Sequence, residues 1–371
     1  MKIKQILLTL LVTISSLSCS ILTYADTPNN LKDLAVQAIS ENPNEAEIAI
    51  KELRELGEKG LHSLFETYVA EIENFKKTGE QTERWQRIAK ALDTTAMQKD
   101  VYASKLFWHT DLAKAQAEAK RTNKPILSLR LLGNLNEEFS CANSRFFRAI
   151  LYPNAEISKF LQTDYVLHWQ SVRPAPKITI DFGDGRKIER TITGNSIHYI
   201  LNQNGEVIDA LSGLNNPQVF LEFLQAGKYF GQQPKENEVY IASLKQFRGS
   251  KHRNLTMQMN RFGKQVKLQF DTSRKPVRNY EEMPAAISAM TVATTKMMVE
   301  MPDLKSITAD MTRYGEEQIN LEQWKQLAKL SGKQAKLDEN SITFIRRQNA
   351  KNNLSEQEFA SMISKLEEFV S

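Results

Sequence analysis

The region between residues 126 and 211 constrains the fold most strongly, because it alternates between strand-like and helix-like patterns. Residues 126–132 are almost wholly apolar, a helical pattern begins near Ser140, and residues 165–169 are again mostly apolar. Two strands joined by a helical crossover lie parallel in one sheet. The pattern therefore predicts an α/β unit with a buried parallel pair of strands.

Two turn signals follow this unit. Residues 183–185 read Gly-Asp-Gly between alternating segments, and residues 204–205 read Asn-Gly between two further strand-like segments. Short Gly-containing turns between alternating segments predict β-hairpins. Pro217 then suits the first turn of a helix.

The flanks of this unit have helical patterns. Residues 26–100 carry apolar residues at helical spacing, and one stretch with Gly57 and Gly60 in its joint is similar to a single HEAT-type helical hairpin. A helical subdomain packed on its neighbour is the alternative. Residues 233–371 are polar and mainly helical, with a strand-like stretch at 266–270. We therefore predict an α/β central domain over residues 101–232, between mainly helical N- and C-terminal regions.

The first 25 residues have the order of a secretory signal peptide. Lys2 and Lys4 precede a short apolar run, and small and polar residues then lead to Ala25, after which we place cleavage. The apolar run is too short to span a bilayer, and we predict no transmembrane segment. A periplasmic or secreted location follows. The alternative is a lipid anchor on Cys19, although Ser16 stands where an aliphatic residue is usual.

Charge and motifs exclude several classes of function. Removing the 25 residues lowers the formal charge from +5 to +3, and acids and bases are interspersed, so no basic patch for nucleic acid is expected. The sequence holds no phosphate-binding glycine loop, nucleophile elbow or zinc-protease helix. We accordingly predict no cofactor and no partner among nucleic acids.

Residues 108–228 resemble the thioredoxin-like superfamily. The resemblance rests on Trp108, an alanine-rich helix, Lys124-Pro125 and the apolar run after them. The stretches 140–147, 178–186 and 194–199 also resemble a family of exported bacterial thioredoxin-like proteins without a settled activity. The resemblance implies a thioredoxin fold for the central domain.

The resemblance places Cys141 at the position of the first reactive cysteine, with Ser144 in place of the second. A helix N-terminus stabilises a thiolate, and Arg145 would add a positive charge. A serine can donate a hydrogen bond to the thiolate but cannot attack a mixed disulfide, which excludes an intramolecular dithiol cycle. Mixed-disulfide or sulfenic acid chemistry is left, with Cys141, Ser144 and Arg145 as the catalytic candidates. The alternative is a buried cysteine that acts as a small apolar side chain.

The loop that should face Cys141 departs from the superfamily pattern. Asn195 and Ser196 occupy the position of its cis-proline, and a non-proline cis bond is costly, so we expect a trans bond. Asn195, Ser196, His198 and Arg173 are the candidate substrate-binding residues. The missing proline argues against a reductase of the thioredoxin type.

Metal binding is considered and not predicted. His168 and His198 could approach Cys141, but their spacing matches no zinc signature. Most of the 11 methionines follow residue 250, and thioether ligands select cuprous copper, although methionines at helical spacing commonly fill cores.

Two functional hypotheses of different classes result. In the first, Cys141 handles the thiol of a partner protein, as in an oxidoreductase. In the second, a thioredoxin-like scaffold binds a protein partner without catalysis. Copper handling is a third reading, and whether the protein is an enzyme stays open.

Overall fold

The computed structural model describes residues 28–191, 194–232, 242–247, 250 and 336–370. The predicted signal peptide with Cys19, the strand-like stretch at 266–270 and the methionines between residues 257 and 311 lie outside the described residues.

Five helices form the N-terminal part of the described chain. They are α1 (Pro28–Gln37), α2 (Pro43–Glu55), α3 (Glu58–Thr67), α4 (Val69–Thr78) and α5 (Glu83–Ala96). The side chain of Asn42 accepts from the backbone N–H of Asn44 at the start of α2, which begins with a proline. These local signals separate α1 from α2.

The N-terminal helices enclose their own apolar core. Leu53, Leu64 and Leu92 are fully buried within it. A Cβ atom on Gly60 would lie 2.0 Å from the carbonyl oxygen of Leu53, so a glycine is needed where α2 and α3 approach each other.

A five-stranded mixed sheet forms the centre of the molecule, in the order β1-β3-β2-β6-β7. Its strands are β1 (Trp108–His109), β2 (Ile126–Leu132), β3 (Val166–Arg173), β6 (Ser196–Leu201) and β7 (Val207–Ser212). β3 runs parallel to β1 and β2, whereas β6 runs antiparallel to β2 and β7. The parallel pair and the hairpin at residues 204–205 predicted from the sequence are confirmed.

Four helices cover the sheet. They are α6 (Leu112–Thr122), α7 (Ala142–Phe146), α8 (Ala155–Asp164) and α9 (Pro217–Gly231). A wider helical turn, Phe147–Leu151, continues α7 directly. Because both faces of β2 are covered, this strand is apolar almost throughout, as buried parallel strands are.

The other predicted hairpin forms a separate two-stranded sheet, made of β4 (Lys177–Asp181) and β5 (Lys187–Thr191). Gly183 and Gly185 both adopt positive φ in its turn. β4 and β5 pair as the hairpin that the sequence predicts. Every residue of β4 is exposed, and the hairpin is not part of the five-stranded sheet.

Two C-terminal helices, α10 (Glu339–Gln348) and α11 (Glu356–Val370), pack against both other parts. Phe344 joins the N-terminal core, whereas Ile345 joins the central core. Asp338 accepts from the backbone N–H of Ser341 at 3.0 Å and from that of Ala155 at 2.7 Å. The described C-terminal residues therefore bridge the two other parts of the chain.

Among the described residues, no helix combines the length and the apolar character needed to cross a membrane.

Candidate functional site

Cys141 caps the helix that follows the loop after β2. Its backbone is extended, with φ −60° and ψ 160°, and its carbonyl oxygen accepts the first helical hydrogen bond from Arg145 N at 3.2 Å. Its own N–H donates to the carbonyl oxygen of Leu132 at 3.2 Å, which fixes the cysteine against the end of β2. The position at a helix start agrees with the position that the resemblance implies.

The thiol of Cys141 is closed off from solvent. The residue is 0% exposed, and its Sγ donates to the carbonyl oxygen of Asn195 at 3.7 Å. The structure brings Cys141 and Asn195 together, as the sequence predicts, and leaves the thiol without access to solvent.

Ser144 uses its hydroxyl within its own turn of helix. The Oγ atom lies 2.9 Å from the carbonyl oxygen of Cys141 and 2.5 Å from Oγ of Ser140, and both serines are 0% exposed. A hydroxyl carries a single proton, so these two contacts use its donor capacity. The sequence predicts that Ser144 supports a thiolate, whereas this structure gives it neighbours other than the sulfur.

The two arginines of this helix bind neighbouring segments. Arg145 donates from Nη2 to Oγ1 of Thr191 at 2.9 Å, and Thr191 in turn donates to the carbonyl oxygen of Ser140 at 3.1 Å. Arg145 therefore links the helix to the end of β5. Arg148 is only 4% exposed and lies 3.3 Å from the carboxylate of Asp100. Burial, as its main cause, raises the pKa of Asp100, while the charge of Arg148 opposes that rise.

The side chain of Asn143, which belongs to no recognisable motif, holds the segment that faces Cys141. Its Nδ2 donates to Oγ of Ser196 at 2.9 Å, and both residues are buried. A Cβ atom on Gly194 would lie 2.2 Å from Oδ1 of Asn143. No peptide bond within the described ranges is cis. The polar second residue of a short helix gives no distinctive sequence signal, so only the structure identifies this contact.

His198 lies inside the central core. It is 1% exposed, its Nε2 lies 2.9 Å from the hydroxyl of Tyr152, and the rings of Phe147 and Phe220 contact it at 4.6 and 4.9 Å between centroids. Burial lowers the pKa of His198 to about 3, so the imidazole is neutral at physiological pH. The sequence predicts a substrate-binding role for His198, whereas the structure gives this side chain a place in the core.

His168 lies on the opposite face of the sheet. In the register of β2 and β3 it lies opposite Ser128, and its Nδ1 lies 2.8 Å from the hydroxyl of that serine. His198 pairs instead with Leu129, and consecutive residues of a strand point to opposite faces. The two histidines therefore cannot share a metal ion with Cys141. Within the ranges that the structure describes, no group of three His, Cys, Asp or Glu side chains is placed to hold a metal.

Arg173 ends β3 at the same end of the sheet as Cys141. Its carbonyl oxygen accepts from the N–H of Gly133 at 2.8 Å, and its side chain is exposed. The four residues predicted for substrate binding therefore do not form one surface. Asn195 and Ser196 contact the helix that starts at Cys141. Arg173 lies at the surface, whereas His198 lies in the core.

Together, the fold and the site define a mixed-sheet α/β protein with one buried thiol, Cys141, among the described residues. No protein-family model, no curated protein and no solved structure matches this chain.

Proposed function

We propose that residues 101–232 form a thioredoxin-like domain in an exported protein. Three observations support the proposal. A central strand, β2, lies beside a parallel strand on one side and an antiparallel strand on the other. Cys141 begins the helix after that strand, and Asn195 faces it from the segment before β6. Export is proposed from the N-terminal sequence alone.

We propose further that this domain is a non-catalytic module that binds an extended segment of a partner protein along the β4–β5 hairpin. The observation that carries the proposal is the exposure of apolar side chains on β4 and in the turn. Ile178, Ile180 and Phe182 are 41%, 47% and 49% exposed. They alternate along the chain and so share one face of the hairpin.

An extended partner segment fits this hairpin for a physical reason. A two-stranded sheet alone is only marginally stable in water. In the described part of the chain, neither β4 nor β5 pairs with a third strand, so both outer edges offer backbone N–H and C=O groups. An added strand would satisfy one edge, and the apolar face would give it side-chain contacts.

The closed thiol supports a non-catalytic role. Cys141 is 0% exposed and donates to a backbone carbonyl oxygen, whereas a nucleophilic cysteine must reach its substrate as a thiolate. In this reading, Cys141 is a small buried side chain that ties the helix start to the segment facing it.

Thiol handling is the second candidate, favoured by the position of Cys141 at a helix start. The sulfur makes one long hydrogen bond to Asn195, and a hydrogen bond contributes on the order of 1 kcal/mol. A partner that displaced the segment around Asn195 would expose the thiol for mixed-disulfide formation.

The experiment that separates these functions is photo-crosslinking. The exported chain, with a photoreactive amino acid in place of Phe182, is mixed with the other proteins of its compartment before irradiation. Ile48, which is 61% exposed on α2, is the control position for the crosslinker. The binding proposal expects one protein to crosslink at position 182 and not at position 48. It also expects Ile178→Asp/Ile180→Asp to abolish the crosslink and Cys141→Ala to leave it unchanged.

Three results would overturn the binding proposal. A crosslink that survives the two aspartates would show that the apolar face is not the docking surface. Loss of the crosslink in Cys141→Ala would favour the thiol-handling candidate. A crosslink only to a second copy of this chain would make the hairpin a homo-oligomer interface.

A further inference from the structure

A cavity of about 360 Å³ lies where the N-terminal helices, the central domain and α10 meet. Its lining includes four cationic side chains and, among the described residues that line it, no acidic one; the four are Lys76, Lys105, Lys159 and Arg347. Cys141 is not among the residues that line it. The charged side chains of the cavity lining are all positive, although acids and bases are interspersed along the sequence.

Three of the four cations have no carboxylate partner among the described residues. Lys76 forms an exposed ion pair with Glu73 at 2.9 Å, and Arg347 donates to the backbone carbonyl oxygens of residues 76 and 77. Lys105 and Lys159, in contrast, have no carboxylate within 4.0 Å in the described part of the chain. Lys105 Nζ instead lies 5.4 Å from the ring centroid of Phe65. The cavity therefore holds positive charge that an anionic ligand would balance.

Uncharged groups complete the lining. Tyr102 is 6% exposed, and its hydroxyl has no hydrogen-bond partner among the described residues. The hydroxyl oxygen is itself buried, so Tyr102 adds to the wall of the cavity without offering a hydrogen-bond donor to a ligand. The ring of Phe344 adds an apolar surface beside these polar groups.

We propose that this cavity binds a small phosphorylated molecule. Its volume falls in the usual range for sites of small molecules. The lysines present compact point charges, which suit the dispersed oxygens of a phosphate group. Arg347, whose planar fork would suit a phosphate or a carboxylate, already donates from two nitrogens to the last turn of α4 and adds its charge to the cavity. The apolar ring of Phe344 would contact the organic part of the ligand.

The site would also couple ligand binding to the assembly of the chain. Lys76 lies in the last turn of α4, Lys159 lies on α8 and Arg347 lies on α10, so one ligand would contact all three parts. A ligand that binds only the assembled form stabilises that form by mass action.

Isothermal titration calorimetry with inorganic pyrophosphate, on the full exported chain, tests the proposal. We expect saturable binding that is roughly tenfold weaker in Lys105→Gln/Lys159→Gln, because two partly exposed charge contacts are lost. Lys90→Gln/Lys120→Gln removes the same charge from exposed lysines outside the cavity, and should leave the Kd unchanged. The substituted lysines of both double variants are exposed. Thermal unfolding of the two variants and of the native protein checks that all three fold alike.

The absence of saturable binding would overturn the proposal. Equal weakening in both double variants would also overturn it, since it would reveal attraction to net charge alone. Citrate that binds as tightly as pyrophosphate would overturn the assignment to phosphate chemistry.

Discussion

The Sγ atom of Cys141 lies 3.7 Å from the carbonyl oxygen of Asn195, which is 54 residues further along the chain. This contact joins the start of a helix to the segment before an antiparallel strand. Access to the sulfur therefore depends on the separation of these two segments, which has consequences that can be measured.

The native thiol should react slowly with iodoacetamide. Because Cys141 is 0% exposed, alkylation requires local opening, and its rate falls with the population of the open form. We expect Asn143→Ala to raise the rate at least about fivefold, since it removes the bond to Ser196, which is worth about 1 kcal/mol. Alkylation followed by mass spectrometry gives both rates. A native rate equal to that in 6 M urea would contradict the closed site.

Gly194→Ala should destabilise the protein by about 1 to 3 kcal/mol, as overpacking in a core does. The new methyl group would lie 2.2 Å from Oδ1 of Asn143 and 3.1 Å from its backbone nitrogen. Urea unfolding measures the loss. In the Asn143→Ala background the same substitution should cost less, because the side-chain part of the clash is gone. Equal costs in the two backgrounds would show that Asn143 does not set the requirement for glycine.

The neutral His198 predicts a dependence of stability on pH. Its pKa is about 3 in the folded protein and near 6.5 when exposed, so below pH 6.5 the unfolded state binds the extra proton. This stabilising contribution is therefore complete above pH 6.5 and is lost progressively as the pH falls towards 3. Between pH 5.5 and 4.5, His198→Gln should reduce the slope of the unfolding free energy by about 1.4 kcal/mol per pH unit.

Comparing the native protein with His198→Gln isolates the contribution of His198 from those of the other titrating groups. Burial raises the pKa of Asp93 to about 6, and that group acts in the opposite direction, since it gains stability as the pH falls from 6 towards its ordinary value. Both proteins contain Asp93, so its effect cancels in the difference. Parallel slopes for the two proteins would contradict the neutral, buried state of His198.

Removing the buried cation at position 148 should cost about 3 kcal/mol, because the mostly buried carboxylate of Asp100 would lose its closer cationic partner and keep Lys99 Nζ at 4.0 Å. Arg148→Met tests this by urea unfolding. The double variant Arg148→Met/Asp100→Asn should recover part of the loss. Arg84→Met breaks an exposed pair with Glu71 and should cost less than about 1 kcal/mol. Similar losses for the two single variants would place Arg148 among ordinary surface charges.

The sequence predicts the elements of the central domain well because their signals are local. The apolar run of β2, the turn residues at 183–185 and 204–205, and the proline at the start of α9 all act within a few residues. The capping box at Ser355, whose hydroxyl accepts from the N–H of Glu358 at 3.3 Å, is likewise a local signal and is present.

The arrangement of the candidate site depends on contacts that the sequence does not encode locally. His198 could face a substrate or the core, and only its pairing with Leu129 in β6 and β2 decides. The hydroxyl of Ser144 is taken up by groups of its own turn, a choice that competes with any contact to the thiol. The thioredoxin-like class stays a prediction from resemblance, supported by the sheet and by the place of Cys141.

The contact between Asp338 and the N–H of Ala155 spans 183 positions of the chain. Asp338 follows the described strands of the sheet along the chain. The junction between the N-terminal helices and the sheet is therefore complete only when α10 packs against both cores. A polypeptide interrupted before residue 336 would keep two partial cores with uncovered surface, and quality-control proteases would recognise it as incomplete.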